Sequence, residues 1–513
     1  MKSVPKAALS SAPRRFPLLS LALMIVMAAV LVLERSYTFD EPLDRDIAGY
    51  AILSHEMLKG RKLYSDLWER KPPLVFAVFA AAERLVGYGR SEILLVNLTA
   101  AIGTLILIFF AGGIFSAILW TLLCGDMWVQ GNQPNAEVLV NLFLTGGFAI
   151  LARNTPAHRR AWFIAAGAMF AAATLCKHHV IVICGALLAA DLLRQFGSQK
   201  YHAFKSSVWN TILACGVIAA IWAGVVGYFL LVGRFNDFYS ALFRQNAAYA
   251  GSLSANLLHS IQPKHLLLNI SMVWAIAPVA LVALWLMSGA RHRGDRPWSL
   301  LIAYAASAWI AVALPSYFWG HYYQLLIPPF CIGGGWAIEG LLRPKQNWPA
   351  SLRYGLVGAV LAITACWQAA AYRISPENWA REKYNTEDLP GEKAIGLQLR
   401  QVLRPGESVW ELGEENEIYF ESGKSPPTGL LYFEPVSVGP EREVYAARML
   451  ADLKKAKPDL IIINHSWEKS LPADCGILPW IESNYVPDQG KLGQKYYVML
   501  LRRGSDLERR LTH

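Results

Sequence analysis

FDEPLDRDIAGYAILSHEMLKGRKLYSDLWERKPPL, residues 39–74, is a polar, acid-studded segment directly behind the first membrane-length apolar run. The predicted loop around it, 34–72, carries eight acids and seven Lys/Arg. Charged groups near a bilayer are costly unless they are hydrated, paired or functional. A segment this rich in charge, pinned between two apolar stretches, decides both the fold class and where chemistry is to be sought.

Outward from it the chain is mostly hydrocarbon. Of 513 residues, 54% are hydrophobic and 17% charged, where a soluble protein carries about 25% charge. Apolar windows long enough to span recur through the first three quarters, so the chain reads as a polytopic α-helical membrane protein. Residues 373–513 differ: they hold most of the 38 acids and have the composition of a soluble domain. The net charge of +10 does not point to nucleic acid, because the bases sit in short loops beside spans, where they orient the protein. The seven cysteines are scattered, with no CxxC or metal-ligand spacing and no disulfide framework. Lys2, Lys6, Arg14 and Arg15 precede the apolar run 16–33, and Glu34-Arg35 follows without a small-residue cleavage site. This reads as an uncleaved first span with its amino terminus inside.

Basic loops at 153–160, 194–205, 291–296 and 343–353 read as cytoplasmic. The loops 34–72, 125–136, 233–264 and 315–323 then face outside. A last span at 354–372 puts the tail outside too. The seven bases of the first outer loop run against the positive-inside count, and its eight acids offset them. The stretch 91–124 is long for one span and short for two, giving 11 to 13 spans. In the tail, 407–412, 460–464 and 495–501 read as strands, and 393–403 and 441–455 as amphipathic helices. A small extracytoplasmic α/β domain, 373–513, is expected behind a transmembrane domain, 1–372. WELGEENEIY, 410–419, reads as an acidic surface or hinge, with acceptor recognition as the other reading.

Four polar features fall on the predicted outer face. They are Asp40, Glu41, Asp44 and Asp46 with Lys71-Pro72-Pro73; QGNQPNAE, 130–137; Arg244-Gln245-Asn246 with Tyr249; and GHYYQLLIP, 320–328. Carboxylates, a lysine, amides and a histidine on one face suit a polar substrate at the water–lipid boundary. Arg45-Asp46…Tyr50, then Gly60…Tyr64-Ser65-Asp66…Lys71-Pro72-Pro73-Leu74, resembles the opening of bacterial membrane glycosyltransferases of the GT-C fold. These are related to protein O-mannosyltransferases and the lipid A aminoarabinose transferase, and the likeness is to the RgtA/B/C/D-like subgroup. QGNQPNAE resembles that family's second outer-loop motif, and FWGHYYQLLIPP, 318–329, its late motif.

The resemblance implies an inverting transfer of sugar from polyprenyl phosphate to an acceptor hydroxyl, on the periplasmic side of a bacterial inner membrane. The acceptor would be a glycolipid, a cell-envelope glycan such as lipopolysaccharide, or a protein. An acid of the first outer loop would be general base. Asp46 aligns with it; the family's usual Asp-Glu is Asp46-Ile47 here, and the Asp-Glu pair at Asp40-Glu41 makes Asp40 the alternative base. Asp44 and Glu56 read as solvated loop charges. Lys71 would contact the donor phosphate, with Arg70 beside it, against the bland reading of a snorkelling lysine. Glu137 would position the acceptor or orient the base, or be a helix-start acid; Asn135 would be a helix cap or a sugar contact. His321 and Lys177 would reach phosphate oxygens, or belong to an aromatic belt and a turn between spans. Tyr50, Tyr322, Gln324, Asn246 and Tyr249 complete the substrate candidates. A divalent metal is left open: two acids and the outer histidines could host a cation, but no ligand spacing argues for one. The rival class is a transporter or flippase of lipid-linked sugars. Against it, no half-repeats are visible, and the polar groups gather at one face.

Overall fold

The computed structural model describes residues 18–153, 159–196, 201–262, 272–289, 296–343, 347–438, 441–472, 475–490, 492 and 497–512. Parts of all four basic loops, the amino-terminal bases, Lys495 and the side chain of Tyr249 lie outside the described residues.

The first nine helices are α1 (Leu18–Tyr37), α2 (Arg45–Leu58), α3 (Leu74–Val86), α4 (Arg90–Gly112), α5 (Ile114–Leu123), α6 (Ala136–Arg153), α7 (Arg159–Cys176), α8 (Ile181–Phe196) and α9 (Tyr201–Leu231). Among the described residues seven helices are long and apolar enough to cross a bilayer, and four shorter apolar helices accompany them. The long stretch 91–124 resolves into two helices because Gly113, at φ 86, breaks α4 from α5. The Lys71-Pro72-Pro73 sequence does not open a full span. Helix α3 has 13 residues and rises only about 20 Å, against a hydrocarbon core of ~30 Å.

Two spans are mostly enclosed by protein, Gly320–Leu342 (83% buried) and Ala136–Arg153 (72%), whereas Leu18–Tyr37 and Ala350–Ala371 are 17% buried. The enclosed pair forms the centre of the bundle, and each begins at a polar motif. Small residues bring the central span Gly320–Leu342 close to α5: a Cβ at Gly335 would lie 2.0 Å from Ser116 Oγ. Close backbone approach of this kind is how helices associate where no water drives them.

The segment 39–74 is not the loop its charge suggests. Its apolar residues build α2, in which Ile47 to Ser54 are all buried. Asp44, 8% exposed, caps the helix, its Oδ1 accepting from the Asp46 N–H at 2.9 Å. Glu56, 3% exposed, accepts from Lys59 at 3.0 Å and Arg61 at 3.2 Å. Neither acid is a solvated charge.

The carboxyl-terminal part carries a four-stranded sheet: β1 (Val409–Leu412), β2 (Leu460–Asn464), β3 (Tyr485–Pro487) and β4 (Tyr497–Arg502), in the order β1-β2-β4-β3. The β1–β2 pair is parallel, while β4 runs antiparallel to β2 and β3. Its helix Arg442–Ala456 matches the expected 441–455 within one residue, while Asp388–Val402 begins five residues before the expected 393–403. The run 410–419 is no acidic surface: Trp410, Glu411, Glu415, Asn416, Glu417 and Tyr419 are all buried. This layer sits on the 39–74 segment. Arg45 pairs with Glu414 at 2.5 Å, Arg70 with Glu434 at 2.6 Å, and Lys383 with the wholly buried Glu41 at 2.5 Å. The Trp68 N–H donates to Gly429 O at 2.8 Å.

Candidate active site between the helices and the carboxyl-terminal layer

Asp46 lies in the first turn of α2, where the helix dipole favours an anion. Its carboxylate faces Lys71, with Oδ2 3.2 Å from Lys71 Nζ and 3.4 Å from the Tyr50 hydroxyl. The backbone delivers Lys71 to this position. Tyr64, at φ 70, turns the chain, and its hydroxyl donates to Lys71 O at 2.8 Å. Glu69, 1% exposed, accepts through Oε1 from the N–H of Arg70 (2.7 Å) and of Lys71 (3.2 Å). Pro72 and Pro73 then restrict the backbone. The Lys71 ammonium stands 5.0 Å from the centre of the Tyr50 ring, a cation–π distance.

Burial alone would push the Asp46 carboxyl up, but Lys71, His321, Arg70 and Arg45 together hold it well below the usual carboxylate range. Burial acts against the Lys71 ammonium, and Asp46 and Glu69 outweigh it and raise its pKa. Glu69 is pushed up by burial, with Asp46 adding to the rise against Lys71 and Arg70. Asp46 and Lys71 are therefore a carboxylate and an ammonium at neutral pH.

Two adjoining cavities meet at this pair. The larger, ≈ 590 Å³, lies between the helices and the carboxyl-terminal layer, and Asp46, Lys71, His321, Tyr322, Glu414 and Tyr432 are among its walls. The smaller, ≈ 60 Å³, points into the bundle, room for about two waters at ~30 Å³ each. Its walls include Asp46, Tyr50, Arg70, Lys71, Glu137, Lys177, Asn246, His321 and Tyr322. Glu137, 1% exposed at the start of α6, forms an ion pair with Lys177. The Lys177 ammonium sits 4.0 Å from the centre of the Tyr322 ring.

His321 Nδ1 is 2.8 Å from Gln130 Oε1. Donation across that contact leaves Nε2 as the acceptor. Gln130 itself is held at φ 57, and the Gln324 amide donates to Val129 O (2.9 Å) and Gln130 O (3.2 Å). Ser316 and Phe318 also have positive φ, 66° and 53°. Non-glycine residues in this region store strain, and such strain gathers at functional sites.

Nine sequence candidates thus line the cavities together: Asp46, Tyr50, Arg70, Lys71, Glu137, Lys177, Asn246, His321 and Tyr322. Others do not. Asp40 is exposed and lines neither cavity, so the alternative base stands away from Lys71. Gln324 is 2% exposed and occupied with the 129–130 backbone. Asn135 is fully buried, and neither side-chain polar atom has a hydrogen-bond partner, so it makes no cap bond. Asn246 donates to Arg70 O at 2.9 Å and so supports the wall. Among the described residues no group of three or more His, Cys, Asp or Glu is arranged to hold a metal ion.

Glu69 and the wall from the carboxyl-terminal layer escape a sequence reading. Tyr432 stands 5.8 Å from the Lys71 ammonium, and Glu414 and Glu434 fix Arg45 and Arg70. Only the apolar residues inside 410–419 and 430–433 hint that these acids are enclosed.

No family model matches the sequence, and no curated protein matches it. Solved structures do resemble the fold. ArnT from Cupriavidus metallidurans bound to undecaprenyl phosphate aligns with TM-score 0.59 at 15% identity, over 95% of this chain and 98% of that one. Its apo state gives 0.59 at 16% identity, over 94% and 97%. The arabinofuranosyltransferase AftD from Mycobacteria gives 0.51 at 12% identity, over 94% of this chain and 40% of that one. The shared property is the fold: a multi-pass helical membrane protein of GT-C architecture with a small carboxyl-terminal α/β layer.

Proposed function

We propose that this protein is an inverting glycosyltransferase of a bacterial inner membrane. It moves a sugar from a polyprenyl-phosphate donor to an acceptor hydroxyl on the periplasmic side. The observation that carries the reading is the Asp46–Lys71 contact at the junction of a small cation-lined pocket and a large open cavity. The small pocket, with Arg70, Lys71 and Lys177 in its walls, suits a phosphate at headgroup level, and undecaprenyl phosphate is bound by the fold neighbour ArnT. The large cavity suits the acceptor, be it glycolipid, glycan or protein. Residues 373–513 would form the periplasmic domain that closes it.

In this reading the acceptor oxygen attacks C1 of the sugar from the side opposite the phosphate. The new C1–O bond forms as the C1–O–phosphate bond breaks. Its electron pair stays with the phosphate oxygen, and the acceptor proton passes to Asp46. Lys71 and its neighbouring cations stabilise the charge that grows on the leaving phosphate. A phosphate that takes over Lys71 also frees Asp46 from its cation, which makes the carboxylate a stronger base when it is needed. Glu137 keeps Lys177 in place through their ion pair.

The test is the purified chain in nanodiscs with a panel of labelled polyprenyl-phosphate sugars and envelope acceptors. Equal amounts of glycosylated acceptor and free polyprenyl phosphate, with inverted configuration at C1, are expected. Movement of intact lipid-linked sugar between leaflets of proteoliposomes, with no bond broken, would make the protein a flippase instead.

A further inference from the structure

Asp46 and Lys71 are carried by separate frames. Lys71 is set within its own segment, by Tyr64 and Glu69. Asp46 is set from outside that segment. The chain enters α2 through Pro42, Leu43 and Asp44, and Gln133 clamps this approach with both ends of its amide. Gln133 Oε1 accepts from the Asp44 N–H at 3.0 Å, and its Nε2 donates to Pro42 O at 2.9 Å. Asp44 Oδ1 then takes the Asp46 N–H at 2.9 Å. One planar amide bonded twice to one short stretch of chain fixes both the position and the direction of that stretch. Gln133 is 4% exposed and lines neither the large nor the small cavity, so its route to the chemistry runs through Asp46.

The clamp is itself anchored. Its loop folds back over the end of α5, with Gln130 at φ 57 and with a glycine next to it, since a Cβ at Gly131 would lie 2.0 Å from Cys124 O. Asn97 donates to Asn132 O at 2.6 Å. The Asn132 amide donates to Glu41 Oε2 and accepts from Lys383 Nζ at 2.9 Å, and Lys383 Nζ stands 2.5 Å from Glu41 Oε1. The side chains of Glu41 and Lys383 are wholly enclosed. Arg90 donates to Glu41 O at 2.6 Å and to Phe39 O at 3.2 Å. A buried ion pair adds little net stability, because both charges must be desolvated. What this pair supplies is a single arrangement of Asn132, the residue beside Gln133.

We propose that Gln133 is a positioning residue for the base Asp46, locked by the Asn132–Glu41–Lys383 cluster beneath the carboxyl-terminal layer. The role rests on the transferase reading above; the clamp rests on its hydrogen bonds alone.

The experiment uses the full chain in nanodiscs and Gln133→Met, which keeps the side chain's length and removes both bonds. With labelled polyprenyl-phosphate sugar, kcat should fall by about 10- to 100-fold, the cost of a small misplacement. Donor KM should stay within about twofold, because the frame of Lys71 is untouched. The acid limb of kcat/KM should move to higher pH as Asp46 leaves its cation. In an Asp46→Asn background Gln133→Met should cost nothing further, since the two act as one unit. Losses that multiply in that background, or a pH profile scaled down without a shift, would overturn the positioning role. Glu41→Gln combined with Lys383→Met leaves no lone buried charge and should repeat the pattern more weakly; it carries the same test if Gln133→Met does not fold. Deuterium exchange reads the clamp without any transfer. The Asp44 and Asp46 N–H groups should exchange faster in Gln133→Met, and unchanged exchange would overturn the clamp. Faster exchange beside a wild type that transfers nothing would support the clamp and count against the transferase reading.

Discussion

Lys71 Nζ and Asp46 Oδ2 stand 3.2 Å apart, with side chains 13% and 21% exposed. In the proposed mechanism these are the phosphate ligand and the base, and here each holds the other. Donor binding then exchanges partners: the phosphate replaces Asp46 at Lys71, and Asp46 turns to the acceptor proton.

Asp46→Asn keeps the shape of the pair and removes the base. The turnover rate should fall by about 10²- to 10⁴-fold, with donor KM changed far less. Asp40→Asn should leave the rate within about twofold, as surface changes usually do, because Asp40 is exposed and outside both cavities. Initial rates with labelled polyprenyl-phosphate sugar decide between them; loss confined to Asp40→Asn would move the base six residues upstream.

Lys71→Met should raise donor KM and shift the pH profile. The sign follows from the pair. Asp46 has a depressed pKa in the folded protein, so its basic form persists as pH falls, down through a value well below the usual carboxylate range. Without Lys71 the burial that opposes ionisation acts with fewer counter-charges, and the acid limb of kcat/KM should move to higher pH. A pH–rate series on both proteins reads this directly; coincident acid limbs would remove Lys71 as the cause.

The carboxyl-terminal layer should be more stable in mild acid than in mild base. Burial pushes Glu417 up to about 8, against the pull of Arg90 at 2.8 Å. Glu392 and Glu411 are raised in the same sense, by burial and by acidic neighbours. Groups with raised carboxyl pKa bind a proton in the folded state that the unfolded chain has released. Their contribution is fully present below the unfolded value near 4.5 and is lost as pH rises through the folded one. Tm in detergent should therefore drop between pH 6 and pH 9, and Glu417→Gln should flatten the drop. A Tm that rises over that interval would contradict the assignment.

Gly49 lets the carboxyl-terminal layer sit down on α2. A Cβ there would lie 2.2 Å from the Tyr432 hydroxyl and 3.0 Å from Cζ. Gly49→Ala should destabilise docking by about 1–3 kcal/mol, seen as faster proteolysis after the 372–375 turn and reduced transfer. Tyr432→Phe added to Gly49→Ala removes the nearest atom and should restore part of both. A double variant no better than Gly49→Ala would place the clash elsewhere.

Much of the membrane-side site was legible because its residues sit in short polar runs at the ends of apolar stretches. Asp46, Lys71, Glu137, Lys177 and His321 each interrupt hydrocarbon, and they converge. Helix α2 was hidden by its charges, although Asp44 before an apolar Ile47-Ala48-Tyr50 run is a cap signal. Strand β3 has three residues and ends in Pro487, too short for alternation to show. The acids of 410–419 looked like a solvated face because composition cannot tell an enclosed carboxylate from an exposed one. That distinction depends on contacts such as Arg45 to Glu414, 369 residues apart, for which one sequence offers no periodic signal.

The same separation constrains how the molecule is made. Arg45 leaves the ribosome long before Glu414 exists. At ~5–20 residues per second the interval of 369 residues lasts on the order of 20 to 70 s. Through that time the segment 39–74 has no carboxyl-terminal partner for Arg45, Arg70 or Glu41. A chain interrupted during synthesis would carry every motif of the opening segment and still lack one wall of its cavity. Completion of the last quarter would then act as a checkpoint in biogenesis, so that unfinished chains in the membrane would not carry out the proposed transfer.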